Sequence, residues 1–417
     1  VRRSEAILFT SRESTGHENE TVARMMRAGL IRKFGSGLYG LTPTGHRLRT
    51  NVCSLITREM NAIGGQRISI PSLNYSDIWR ASGRWERFEG EMFTFENRDG
   101  RRLCLAPSHE EGVVRLVDGV VRSYDDVPVL LYQVESKYRD DHARNGLVRT
   151  KEFTMKDAYS LHSTRDSLDA YYERVREAYV RIFDALDVEF AVAAAENSVM
   201  GGSTSEEFVA VADNGTLLLR HCEATACRFG VTDESPRAAL SAGDRCPECG
   251  GHLTASEGIE IGHVFTLGTR YTEPMGLSVD DADGSERDVL MGSYGIGIER
   301  LLHVLVSQHG DDGGCRWPMD GDERIAPYRA SIIPLEYEGS IRKAAESLYE
   351  SCGPDETLLF DGGDRTIGER FAESDLLGVP WKVILGNRYR ESGAVELESR
   401  DGSTRFVDVE EVASIVG

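Results

Sequence analysis

The sequence predicts an α+β chain: an antiparallel-sheet domain over residues 1–325, then a smaller α/β domain over 326–417. Three observations predict it. Residues 129–141 and 150–159 alternate at period two around a short loop, as paired strands do. Amphipathic helical spacing flanks them, most clearly over 166–187. From Ile325 onward, apolar runs and helical spacing alternate, the pattern of a small, mostly parallel sheet. At 417 residues, 40% hydrophobic, the chain has room for two or three cores.

The elements follow in order. Residues 19–31 carry helical spacing that ends in Ala28-Gly29-Leu30. Residues 45–63 predict a long helix stopped by Gly64-Gly65, with a strand-like run Arg67 to Ile70 before Pro71. Ser108-His109-Glu110-Glu111 predicts a helix start, with Ser108 as N-cap and Glu111 as capping-box partner. After the paired strands and the helix over 166–187 come Gly201-Gly202-Ser203, a strand from Glu207 to Ala212 and a cysteine-bearing insert over about 217–256. Strands near 259–267 and 288–294 precede a helix from Gly297. The last domain reads strand 330–335, helix 340–352, strand 357–361, helix 366–377, strand 382–385.

No run reaches the roughly 20 apolar residues that span a bilayer. The first residues, Val1-Arg2-Arg3-Ser4-Glu5, lack an apolar segment, so no membrane association and a cytoplasmic location are expected. The formal charge of −21 does not exclude nucleic acid, because binding depends on a local patch. Arg outnumbers Lys 42 to 6, which fits either a salt-adapted cytoplasm or a GC-rich genome.

Chemistry concentrates in two places. On the first strand, Leu130, Tyr132, Val134, Ser136 and Tyr138 share one face; Gln133, Glu135, Lys137, Arg139 and Asp141 share the other. The second strand presents Lys151, Phe153, Met155, Asp157 and Tyr159. A solvated sheet face would explain the first strand alone. The mixture of charge and aromatic ring on both suits a nucleotide bed, with Arg for phosphate and Phe for a base. The other place is Gly292-Ser293-Tyr294-Gly295-Ile296-Gly297-Ile298-Glu299-Arg300, where glycines precede a helix and let a ligand approach the backbone. It matches neither the dinucleotide fingerprint nor the P-loop, and a packing turn explains it equally well.

Together these segments resemble class II aminoacyl-tRNA synthetases, specifically the bacterial type of prolyl-tRNA synthetase without its large editing insertion. The helix ending before Pro71 looks like motif 1, Tyr138–Asp141 with Lys151-Glu152-Phe153 like motif 2, and Gly295–Arg300 like motif 3. The prolyl likeness rests on Ala28–Lys33, Ser82-Gly83-Arg84-Trp85-Glu86, Ser108–Glu111, Met155–Ser160, Gly201-Gly202-Ser203 and Glu257–His263, in family order. The resemblance implies a class II antiparallel-sheet catalytic domain followed by an anticodon-binding α/β domain. It also implies a homodimer that makes prolyl-adenylate from proline and ATP with Mg²⁺ and charges tRNA(Pro). By the same resemblance Arg139 and Arg300 are the catalytic arginines. Asp141, Val148 and Phe153 join them around ATP. Ser108, Glu110, Arg139, His162, Phe208, His263 and Ser293 surround the amino acid. Arg365 and Arg370 are candidate tRNA contacts.

The sequence departs from that family in places. About 40 residues stand where the editing domain would be, too few for such a domain. They carry Cys222, Cys227, Cys246 and Cys249; Cys-x-x-Cys-Gly is a zinc-ribbon knuckle, so a structural Zn²⁺ is expected, with His221 as an alternative to Cys222. The other reading is a remnant of the missing domain's flanks whose cysteines never meet. Ser108 stands where Thr is usual, Asp141 where Glu is, His142-Ala143-Arg144 where Arg-Pro-Arg is, and Gly363 where a basic residue is. Two rival functions follow: activation of an amino acid for another tRNA or a non-tRNA acceptor, and a non-catalytic tRNA-binding relative.

Overall fold

The computed structural model describes residues 1–13, 16–87, 91–195, 204–318, 325–363 and 365–416; Gly201-Gly202-Ser203 lie outside them. The chain packs as two compact units. One comprises Gly35–Leu38 and Cys53–Val304; the other comprises Val1–Phe34, Tyr39–Val52 and Leu305–Gly417. This partition differs from a linear division at residue 325, because the first residues group with the last. Arg3 shows how: its backbone N–H donates to Leu359 O at 2.8 Å and its guanidinium pairs with Glu373 at 2.8 Å.

The first unit is built on a nine-stranded sheet. Its strands are β1 (Gln66–Arg67), β2 (Val129–Tyr138), β3 (Glu152–His162), β4 (Phe190–Ala194), β5 (Thr204–Val211), β6 (Leu217–Cys222), β7 (Phe229–Val231), β8 (Leu253–Gly268) and β9 (Leu290–Gly297). Their order is β5-β4-β7-β6-β8-β9-β3-β2-β1, and β5 also pairs with β8. Pairings are antiparallel except β1–β2 and β4–β7. The expected strand at Arg67–Ile70 is shorter than predicted. Beyond β1, Ile68 N–H still donates to Tyr132 O, but Ile70 N–H turns to the Gln133 side chain.

Helices α1 (Glu110–Val117), α2 (Arg165–Ala185) and α3 (Ile298–His309) attach to this sheet. The long helix predicted over 45–63 is present as Pro43–Ala62. Cross-strand register assigns the two sheet faces. Gln133, Asp157, Gly295, His263 and Glu207 form one row, with Leu131, Tyr159, Ser293, Phe265 and Ser205 beside it on the same face. The opposite face carries the row Val134, Lys156, Ile296, Gly262 and Phe208. That face packs on α2. A Cβ at Gly262 would lie 3.2 Å from Phe183 and 3.3 Å from Tyr179, so the helix approaches as closely as a glycine permits.

The second unit holds β10 (Ala330–Pro334), α4 (Gly339–Ser351), β11 (Thr357–Leu359), α5 (Ile367–Leu377), β12 (Trp381–Leu385), β13 (Ala394–Ser399) and β14 (Thr404–Asp408), with sheet order β11-β10-β12-β13-β14. The first three strands are parallel, as expected; the β13–β14 hairpin adds two antiparallel strands that the sequence reading stopped short of. Thr366 and Glu369 form a capping box that starts α5, and Gly378, at φ 69°, ends it.

Candidate active site

The polar sheet face is desolvated, not solvated. Gln133, Lys137 and Asp157 are all buried. A buried charge needs a partner and aligned hydrogen bonds. Asp157 supplies both: Lys137 Nζ lies 2.8 Å from one oxygen, while Gln133 Nε2 and the Tyr159 hydroxyl each donate to the other at 2.9 Å. The Tyr159 oxygen in turn accepts the His109 N–H at 3.1 Å, tying the start of α1 to the sheet. The polar alternation that looked like a surface is therefore a rigid platform.

Arg139 follows β2, and its backbone N–H donates to Lys151 O. Its guanidinium lies 5.3 Å from the Phe153 ring centre, a cation–π contact, and donates to Pro107 O at 3.3 Å. Phe153 is held from behind: the neighbouring Thr154 N–H donates to Glu299 at 2.6 Å. Arg300, one residue on in the first turn of α3, donates to Val148 O at 2.9 Å and to the Glu260 carboxylate at 2.8 Å. Burial first, then the nearby Arg300 charge, lowers the Arg139 pKa from its ordinary value, with Glu260 and Glu110 opposing. The two arginines therefore share one electrostatic environment, the arrangement a polyanion requires. Asp141 sits at the loop and pairs with Arg149 at 3.0 Å.

Of the three motif glycines, Gly292 has a packing cause. A Cβ there would meet the Tyr294 hydroxyl at 2.2 Å and Ser160 Oγ at 2.7 Å. At Gly295 and Gly297 a Cβ would make only ordinary contacts with Met155 and Arg300, so those two leave the site face low.

A second cluster borders α1. Glu110 accepts from the Ser293 hydroxyl at 3.2 Å and from Arg84 Nη1 at 3.1 Å; Arg84 Nη2 donates to Ser108 Oγ at 2.9 Å. The predicted capping box at Ser108 is absent. His109 is the N-cap and makes no side-chain cap, because Ser108 faces Arg84 and Glu111 is drawn to Arg84 and Ser82. Arg84 is a residue the sequence reading missed. It stood inside a quoted string, but nothing in a lone Arg foretells burial against two carboxylates.

Ser108, Glu110, Arg139, His263 and Ser293 thus belong to this sheet face and its border. His162 and Phe208 do not. Phe208 is on the α2 side, with ring centres 5.4 Å from both Tyr179 and Phe183. His162 is fully buried; its Nδ1 bonds Ser167 of α2 at 2.8 Å and its ring meets Tyr171. Burial lowers its pKa to about 4, so it is neutral. Both are core residues. The side chains that β5 sends to the site face are Ser205 and Glu207, the latter beside Phe208. Glu207, Glu260 and His263 offer three ligand atoms within 4.8 Å of one another. His263 Nδ1 lies 3.1 Å from Glu260, and its Nε2 is 2.6 Å from Ser205 Oγ. Burial first, then Glu260, raises the Glu207 pKa to about 8. Burial also acts on Glu260, yet Arg300 and His263 outweigh it and hold its pKa low.

The insert brings its cysteines together. The sulfurs of Cys222, Cys227, Cys246 and Cys249 lie within 4.8 Å of one another. Tetrahedral Zn–S bonds of about 2.3 Å place sulfurs about 3.8 Å apart, so the cluster fits the ion. The remnant reading, in which the cysteines never meet, is excluded. His221 is no substitute: it bonds Ser256 at 3.1 Å, while Cys222 enters the cluster.

In the second unit, Arg370 is buried. It donates to Pro334 O at 2.6 Å, Gly362 O at 2.7 Å and Arg365 O at 3.2 Å. It locks the scaffold rather than facing RNA. Arg365, a third exposed, lies 3.6 Å from Glu373.

Known proteins resemble this chain. The family of the tRNA synthetase class II core domain (G, H, P, S and T) matches residues 93–309, and the anticodon binding domain family matches 329–417. The proline–tRNA ligase of Anaplasma marginale is 36% identical, with 92% of each chain covered; that of Gluconobacter oxydans is 33% identical, with 94% of each covered. The Aquifex aeolicus proline–tRNA ligase aligns over 568 positions at 28% identity, covering 100% of this chain and 98% of its own. It therefore carries residues with no counterpart here. In fold, the chain resembles the Giardia lamblia prolyl-tRNA synthetase in complex with prolyl-adenylate, with TM-score 0.76 and 20% identity over 94% of this chain and 75% of that one. The core match spanning motif 2 to motif 3, together with relatives above 30% identity along nearly the whole length, places this chain in the proline–tRNA ligase family of class II synthetases.

Proposed function

We propose that this protein condenses proline with ATP to prolyl-adenylate and diphosphate, then transfers the prolyl group to the 3′ end of tRNA(Pro). The observation that carries this reading is Arg139 set against the Phe153 ring and Arg300 held by Val148 and Glu260, next to a buried carboxylate at Glu110.

The proline carboxylate attacks the α-phosphorus, and diphosphate leaves. Little proton transfer is needed; the work is alignment and charge stabilisation. Arg139 holds the α-phosphate and the attacking carboxylate, Phe153 stacks on adenine, and Arg300 holds the distal phosphates. Glu110, supported by Ser293, takes the secondary ammonium. Glu260, and Glu207 once deprotonated, would supply hard oxygen donors on the side of Arg300, the kind Mg²⁺ takes when it arrives with the triphosphate. Zn²⁺ on the four cysteines would cross-link the insert and has no part in the chemistry. The remaining parts of the reading are a cytoplasmic homodimer with a division between catalytic and anticodon domains near residue 325, and Arg365 as the tRNA contact left after Arg370 is spent on the scaffold. No described helix is long and apolar enough to cross a membrane.

Amino-acid-dependent pyrophosphate exchange across the twenty amino acids, followed by charging of total tRNA, tests it. Proline should drive exchange best and tRNA should be charged. Exchange driven best by another amino acid, or exchange without charging, would replace this reading with a paralogue's. Exchange with none would leave a tRNA-binding relative.

A further inference from the structure

Among the described residues, the Arg84 cluster contains one carboxylate more than it contains cations. Arg84 Nη1 lies 3.1 Å from Glu110 and 3.1 Å from Glu111. The three side chains are 2%, 3% and 0% exposed. The guanidinium is 5.0 Å from the Trp79 ring centre and 5.2 Å from that of Tyr271, so it is walled by aromatic surface. Groups facing Glu111 come from several segments. Ser82 donates to it at 2.6 Å, and the Cys104 thiol and the Tyr271 hydroxyl lie within range of its charge when it is ionised. Arg270 is nearer the rim, donating to Ser82 O at 3.4 Å.

Two ionised carboxylates and one guanidinium leave a net negative charge out of water, which is costly. The charge is neutralised either by a proton on one carboxylate or by a second cation. Glu110 is the one aimed at the site, because it accepts from Ser293 on the platform. Among the described residues, Glu111 bonds Ser82 and Arg84 and none on that face.

We infer that Arg84 and Glu111 are positioning residues for the substrate's amino group, with Glu111 protonated in the empty site and ionised once a substrate ammonium binds Glu110. The filled site is then a neutral quartet of two carboxylates, one guanidinium and one ammonium. Proline enters as the zwitterion, its ammonium already formed. One O–H bond of Glu111 breaks, its electron pair stays on the carboxylate, and the proton goes to solvent. The two environments are consistent with this. Burial raises both carboxyls, but at Glu110 the Arg84 charge and the Ser108 hydroxyl outweigh it and the pKa is lowered. At Glu111 burial prevails, Glu110 adds to it, and the pKa is raised. The device selects a cationic amine and keeps an empty site from holding bare charge.

This inference rests on the assignment of Glu110 to the substrate ammonium. The test is calorimetry of proline binding in two buffers of different ionisation enthalpy, between about pH 5 and 8, with the full-length wild type and Glu111→Gln. The wild type should release up to one proton per proline, more as pH falls. Glu111→Gln, which keeps the shape and the Ser82 contact, should release none. A charge at this range is worth at least about one pKa unit; the variant's proline KM in exchange should therefore rise about tenfold with kcat unchanged. Arg84→Lys should retain part of the proline affinity that Arg84→Met loses. Proline binding without proton release in the wild type, or equal release by Glu111→Gln, would overturn the inference. So would a fall in kcat at constant KM. Failure of the wild type to exchange with proline at all would instead overturn the parent assignment.

Discussion

The two faces of the nine-stranded sheet are built from the same strands and do opposite things. Toward α2, Phe208, Phe183, Tyr179 and Phe190 interlock with ring centres 5.4 to 6.1 Å apart, and every gain comes from removing apolar surface from water. Toward the site, Gln133, Lys137, Asp157 and Tyr159 are as deprived of water, and Ser293, Glu207 and His263 somewhat less so, but this face holds charge in fixed directions. The site face therefore contributes orientation, and the α2 face contributes the stability that offsets its cost. Neighbours in the chain divide the labour: Phe208 anchors the core while Glu207 serves the site.

Substitutions should separate the faces. Phe208→Ala should cost about 3–5 kcal/mol of stability, seen as a lowered denaturation midpoint, with the proline KM unchanged below the transition. Arg139→Ala should do the converse: kcat/KM in pyrophosphate exchange should fall about 10²–10³-fold with little change in Tm. A loss of stability as large as that of Phe208→Ala would break the contrast. At the insert, metal analysis should find about one zinc per chain, and Cys249→Ser should lower Tm while leaving exchange below the transition intact. The last contrast is at Glu207, where pH sets the size of the effect. Its pKa is raised from 4.5 to about 8, so the protein is favoured while Glu207 is protonated. Stability is lost as pH rises through that interval. Glu207→Gln should have a Tm close to wild type near pH 5 and a higher Tm near pH 9; a parallel pH profile would refute the assignment.

Much of this was legible in the sequence. Period-two alternation located β2 and β3, and the glycine-led segment located β9 and Arg300. Assigning faces was harder. Parity along one strand is readable, but which parity faces α2 depends on register with β8 and β9, fixed only by long-range pairing. His162 and Phe208, which the resemblance put around the amino acid, each lie one residue from the site parity. Arg84 was invisible for another reason, since its partners lie 24 to 27 positions away. The cysteine cluster was readable because thiol spacing is a local signal.

The insert is woven in rather than appended. Its strands β6 and β7 complete a ring of pairings, β5–β4–β7–β6–β8–β5, around Ala191, Val209 and Leu219. Excising it would expose unpaired edges on β4 and β8 and strip that small core. A foreign module grafted into this region would be tolerated best between the cysteine knuckles, at about 233–242, where added chain interrupts no ladder and spares the thiols. The architecture thus prescribes where new domains can enter this scaffold, independently of what they would do once there.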